Sequence, residues 1–146
     1  MFVETHKVRD GMLDTLTDAD LRFSPGGTNM TLGALCKEMG EVEHSYIQSL
    51  KSLRQDWSYR NREQGLDENV SKLKAWMQTL DDELSKVVAE MNDDDLKKTV
   101  DRGFPIQVET QLQIYLQALL IFLGKATIFL KVLGKPLTKE LRDWIW

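Results

Sequence analysis

The sequence predicts an all-α chain folded as a four-helix bundle, and three observations carry that prediction. Val70, Leu73, Met77, Leu80, Leu84, Val87 and Met91 alternate at spacings of three and four without a break. That is the seam of a helix packed in a left-handed bundle. From Leu112 to Leu133 the chain is apolar nearly all round, so this helix must bury more than one face. Short, turn-rich links join the helical stretches, which makes a bundle the default arrangement. The 146 residues suffice for one domain with a real core and are too few for two, so residues 1–146 are read as a single unit.

The first helix is expected over Phe2 to Leu16, weakened by Gly11. Ser24-Pro25-Gly26-Gly27 marks a turn, and Thr31 is a plausible N-cap for the second helix. Leu32, Leu35, Met39, Val42, Tyr46, Leu50, Leu53 and Trp57 form its apolar series, and Ser58 to Gly65 end it. Asp67 can cap the third helix, which Asn92 to Asp95 close. Lys98 to Val108 reads as a short extended excursion or hairpin around Asp101-Arg102-Gly103, with Pro105 opposing helix. The fourth helix carries the seam Leu112, Tyr115, Leu119, Phe122, Ala126, Phe129 and Leu133. Thr138 then caps a short C-terminal helix ending in Trp144-Ile145-Trp146.

Composition narrows the function classes. Hydrophobic residues are 42% and charged residues 29%, the balance of an ordinary soluble globular protein. The net charge of −4 argues against nucleic acid as a partner, because phosphate binding needs clustered Lys and Arg. The single cysteine, Cys36, rules out a disulfide within the chain and fits a reduced cytoplasmic setting. The charged N-terminal MFVETHKVRD lacks the apolar core of a signal peptide. The uncharged run in the last long helix stops at Lys125, short of the roughly 20 residues that span a bilayer, so no membrane partner is expected.

Three local patterns occur in order along the chain. Thr31-Leu32-Gly33-Ala34-Leu35 followed by Glu41-Val42-Glu43 resembles the second-helix opening of the DinB/YfiT-like superfamily. Met91-Asn92-Asp93-Asp94-Asp95-Leu96 resembles that family's link into an extended segment, and Leu130-Lys131-Val132-Leu133-Gly134 resembles its closing motif. The resemblance implies a four-helix bundle with a short extended segment before the last long helix. It also implies a divalent metal held by three histidines, one on the second helix and two at H-x-x-x-H spacing on the fourth. Laid on this chain, those positions fall at Glu38, Ala118 and Phe122. Alanine and phenylalanine bind no metal, and the chain's two histidines, His6 and His44, cannot rebuild a three-histidine set in any register. The resemblance therefore implies a scaffold without its metal: no cofactor is expected, and Phe122 is expected to fill part of the vacated volume.

Other candidates are weighed individually. Glu38 is either a pocket carboxylate able to act as a general base or a residue of the bundle edge. Glu41 and His44 have the E-x-x-H spacing of di-iron bundles, but it occurs once and within a polar stripe of Lys37, Gln48 and Lys51. His6 can turn inward from the first helix, and reads as satisfied or exposed rather than ligating. Cys36 reads as a core thiol rather than a nucleophile. Gln111, Gln113 and Gln117 either solvate an edge, bond across an interface or line a small cavity. Asp93-Asp94-Asp95 reads as a helix cap rather than a calcium loop. Trp57, Trp76, Trp144 and Trp146 read as packing and interface anchors. Together these readings predict a metal-free, non-catalytic or small-ligand-binding homodimer. The alternative is an enzyme resembling the family's metal-dependent thiol transferases, isomerases or hydrolases, with an atypical site around Glu38.

Overall fold

A computed structural model describes the chain from Phe2 to Ile145. Trp146, and the side chains of Trp144 and Ile145, lie outside the described residues, and with them the expected C-terminal anchors. The helices are α1 (Phe2–Asp14), α2 (Asp18–Leu21), α3 (Leu32–Ser52), α4 (Val70–Ala89), α5 (Asp93–Lys97), α6 (Val108–Val132) and α7 (Lys139–Ile145). Strands β1 (Thr99–Asp101) and β2 (Pro105–Gln107) form an antiparallel hairpin with Val100 opposite Ile106. The four long helices α1, α3, α4 and α6 enclose one core, and the hairpin lies before α6 as the sequence predicts. The fold class is the all-α bundle that the apolar spacing implies.

Local chemistry sets the ends. Thr31 caps α3 as expected, its hydroxyl accepting the Ala34 N–H at 3.1 Å. Asn92 caps α5, accepting from the N–H groups of Asp94 and Asp95. The sequence reading needs correction at three boundaries. α3 stops at Ser52 because Leu53 turns left-handed (φ 56°) and the backbone then pairs with β1. There the Asp101 N–H donates to the Leu53 carbonyl at 2.9 Å, and the Gln55 N–H donates to that of Asp101 at 2.8 Å. Trp57 is consequently a loop residue, 44% exposed and edge-on to Tyr46, rather than the last member of a helical seam. The cap of α4 is Asn69, not Asp67: burial of Leu66 holds Asp67 in a 3-10 turn (Leu66–Glu68). α6 starts at Val108, four residues before Leu112, directly from β2.

Trp76 does serve as a packing anchor, its ring lying so close over Gly40 that a Cβ there would sit 2.5 Å from it. Gly33 has a stricter role. A Cβ at this position would stand 1.8 Å from the Asp67 carbonyl oxygen, which is backbone and cannot swing aside. Gly33→Ala is therefore expected to lose about 1–3 kcal/mol of stability, the range for overpacking a filled core. Urea denaturation measures it; an unchanged midpoint would mean that the 3-10 turn shifts freely.

Candidate functional site

The most unusual feature of the bundle is a cluster of charged side chains buried where the four long helices meet. α1 contributes His6 and Arg9, one turn apart on one face; α3 contributes Glu43; α4 contributes Asp81; α6 contributes Tyr115. Arg9 is 1% exposed and Glu43 is fully buried. Groups of this kind are almost never taken out of water unless paired.

Arg9 is the centre. Its Nη1 donates to Asp81 Oδ1 at 3.1 Å and its Nη2 to Oδ2 at 2.6 Å, a two-pronged pair. Nη1 also reaches Glu43 Oε2 at 3.2 Å, while Nη2 and Nε bond Asp10. Burial opposes the Arg9 charge, but the Asp81 hydrogen bond and the fields of Glu43, Asp81 and Asp10 overcome it and hold the guanidinium more firmly protonated than usual. Burial likewise works against the Asp81 carboxylate, yet the hydrogen bonds from His6 and Arg9 win and its pKa is lowered. An ionised Asp81 only accepts, so the 2.9 Å contact to His6 Nδ1 fixes the proton on that nitrogen. His6 Nε2 then accepts from the Tyr115 hydroxyl, 3.1 Å away.

Glu43 is left with the weaker share. Its Oε1 is buried without a hydrogen-bond partner, and His6 Nε2 lies 3.7 Å from it. Burial pushes the Glu43 carboxyl up to about 8; Arg9 counteracts this, and Asp81 reinforces it. Burial first, then Glu43, raises the Tyr115 phenol well above its ordinary value. One guanidinium thus faces two buried carboxylates, and the surplus negative charge is relieved by a proton on Glu43.

The donor set invites a metal test. His6, Glu43 and Asp81 offer one ligand atom each within 4.8 Å of one another. They do not fit a divalent cation, because Arg9 already binds both carboxylates and places a fixed positive charge in the same space. His6 Nδ1 is further occupied by Asp81.

The candidate residues singled out from the sequence lie elsewhere, apart from His6. Phe122 is buried in the core with Lys125 Nζ 5.2 Å from its ring centre, Ala118 is partly buried, and Glu38 lines a hollow of about 200 Å³ with Glu41, Val42, Ser45, Trp57 and Arg60. Neither Ala118 nor Phe122 is among the residues lining that hollow. Glu41 is buried rather than part of a solvated stripe, because it accepts the Asn61 N–H at 3.0 Å and lies beside Arg60. His44 stacks on Tyr59 with 3.7 Å between ring centres, and burial lowers its pKa. Cys36 is fully buried, and burial pushes its thiol up to about 12 against the field of Arg9, which suits core packing. His6 turns inward and is satisfied rather than exposed.

Gln111 departs from the edge reading. It is fully buried, donating to Ser49 Oγ and Gln55 Oε1 at 2.6 Å each and accepting from Arg102 at 2.9 Å. Gln113 and Gln117 are exposed. The residues that sequence reasoning missed are Arg9, Glu43, Asp81 and Tyr115 as one cluster. A signal existed for Glu43: Leu32, Cys36, Met39, Glu43, Tyr46 and Leu50 is also a series of threes and fours, with a carboxylate at an apolar position.

No model of a known protein family matches this chain. No curated protein matches it by sequence. Among solved structures, the crystal structure of a DinB-like protein, YjoA from Bacillus subtilis, superposes with a TM-score of 0.76 over 92% of this chain and 90% of that one, at 13% sequence identity. At that identity the likeness speaks for the fold alone: this chain is folded like that DinB-like protein.

Proposed function

We propose that this chain is a metal-free, non-catalytic member of the DinB-like fold that acts as a homodimeric scaffold. The observation that supports this reading most strongly is Arg9. A fixed guanidinium, 1% exposed, holds the two buried carboxylates that would otherwise attract a cation. A chain that supplies its own cation at the meeting point of its helices gains rigidity there and gives up an open coordination position. The sequence supports it independently: of the three positions where the resemblance implies histidine, Ala118 and Phe122 bind no metal and only Glu38 could.

Metal analysis of untagged protein, followed by titration with zinc and nickel, tests the proposal. Less than about one-tenth of a metal ion per chain is expected, with no saturable binding. A second reading, a metal-dependent enzyme, has one observation in its favour: the 4.8 Å grouping of His6, Glu43 and Asp81. One ion per chain, lost in His6→Ala, would establish that reading and remove the first.

A further inference from the structure

A second hollow, of about 310 Å³, opens between α6 and the loop that precedes α3. Its floor is Leu35 and Phe129, 2% and 6% exposed, and its rim is Met30 and Ile128, 41% and 60% exposed. Small-molecule sites run at roughly 300–1,000 Å³ and are mostly apolar with a few placed polar groups, so this hollow stands at the small end of that class. The loop wall is fixed by its own bonds. Gly26 and Gly27 take left-handed φ angles of 92° and 63°, turning the chain so that Asn29 Nδ2 donates to the Gly26 carbonyl at 2.8 Å. The Ser24 hydroxyl accepts from the Gly26 N–H at 3.2 Å and donates to the Asn29 carbonyl at 3.0 Å. The Leu32 N–H closes the loop on the Phe23 carbonyl at 2.8 Å, and Phe23 packs edge-on against Phe129, 6.4 Å between ring centres. A preformed wall spares a ligand the cost of ordering it.

The hollow is lined by one charge, Lys125. Its ammonium stands 5.2 Å from the Phe122 ring centre and makes no hydrogen bond or ion pair among the described residues. Thr28 adds a hydroxyl that is likewise unengaged among the described residues. No carboxylate answers them from either wall. Residues 22–31 contain none, and the one acidic residue of α6, Glu109, lies at the other end of that helix. Glu38, the first carboxylate of α3, lines the other hollow, with Arg60. A single cation at the edge of an apolar hollow complements a single anionic head on an apolar body. We propose that this hollow binds an amphiphilic monocarboxylate of the short fatty-acid class, its head on Lys125 and Thr28 and its chain on Leu35 and Phe129. A phosphate monoester carries about −1.5 to −2 charges and is best met by the fork of an arginine, which this hollow lacks. The site is complete within one chain, so it goes beyond the scaffold reading and depends on neither its dimer nor its lack of metal.

Calorimetric titration of the full chain with octanoate is expected to show one site per chain with a dissociation constant of about 0.1–1 mM, in keeping with a ligand of this size. Octylammonium, with the same chain and the opposite charge, should bind about tenfold more weakly. Lys125 is exposed, so its variants are expected to fold, with unchanged helical circular dichroism. Lys125→Met should weaken octanoate about tenfold, and Lys125→Glu should invert the preference in favour of octylammonium. Amide shifts on adding octanoate should centre on residues 25–30 and 125–129. No saturation by about 5 mM octanoate would overturn the site. So would equal binding of the two probes, undiminished octanoate binding in Lys125→Met, or shifts centred elsewhere. Tighter binding of octyl phosphate than of octanoate would overturn the carboxylate and put a phosphate in its place. Sedimentation equilibrium on the same samples keeps the two readings apart: a monomeric wild type that binds octanoate would remove the homodimer and retain this site.

Discussion

Arg9→Ala is expected to destabilise the fold by about 3–5 kcal/mol, because removing one partner of a buried ion pair strands the others. Here the stranded groups are two: Glu43, fully buried, and Asp81, which loses both prongs of its pair. Arg9→Lys is expected to recover little. A single ammonium cannot hold both Asp81 oxygens and still reach Glu43 and Asp10. Arg9→Met combined with Glu43→Gln and Asp81→Asn should recover most of the loss, since the uncompensated charge goes with the guanidinium. Denaturant midpoints at pH 7 decide this. A loss under about 1 kcal/mol in Arg9→Ala would mean that water replaces the guanidinium without difficulty, and the cluster would then be no lock.

The arrangement explains why so much of the fold was legible and so little of the site. α4 is legible from its own spacing, because Leu73, Met77, Leu80 and Leu84 all end in the core, although its cap is Asn69 and Met91 falls beyond its end at Ala89. α6 is legible for the same reason, and Phe122 lies in the core as its seam position implies. The end of α3 was not legible, since what stops it is hydrogen bonding to Asp101, a residue about fifty positions away. The cluster is hidden in a similar way. Arg9 lies 34 residues from Glu43 and 72 from Asp81, and each residue alone passes for a solvated charge. Only Glu43 breaks a local pattern. The resemblance to a family drew attention to Glu38, Ala118 and Phe122, the positions where a metal would be missing. The structure draws it to the place where a protein-borne cation is present.

That cation does more than fill space. Tyr115 and His6 join α6 to α1, His6 and Arg9 join α1 to α4, and Arg9 joins α1 to α3. A buried network whose members come from four helices discriminates against slipped packings, because a shift of one turn would separate Arg9 from its carboxylates while leaving apolar contacts largely interchangeable. This is a role suited to a scaffold, in which one geometry matters more than an open coordination position.

Stability is expected to fall, rather than rise, between pH 5 and pH 8. The Glu43 carboxyl is held near 8 in the folded chain by burial, against about 4.5 when exposed. Between those values the folded state retains a proton that the unfolded state has lost, so raising the pH favours unfolding. Asp81 does not mask the effect. Its pKa is lowered below 3.8, and the stability it contributes is lost only as pH falls below that range. Arg9 stays protonated and Tyr115 stays neutral throughout the window, and His6, 3.7 Å from Glu43 and common to the wild type and the Glu43→Gln variant, cancels in the difference between their two slopes, which is the quantity that reports Glu43. The loss should amount to about 3 kcal/mol, measured as urea unfolding free energy at constant protein concentration and ionic strength. Glu43→Gln keeps an oxygen for Arg9 Nη1 and adds an N–H that can reach the His6 and Tyr115 side, yet it cannot ionise. It should therefore be nearly neutral at pH 5, more stable than the wild type at pH 8, and largely free of the slope. A wild type whose stability rises over this range, or a Glu43→Gln variant with the same slope, would place the ionised carboxylate in the folded state and make Arg9 sufficient for both of its partners.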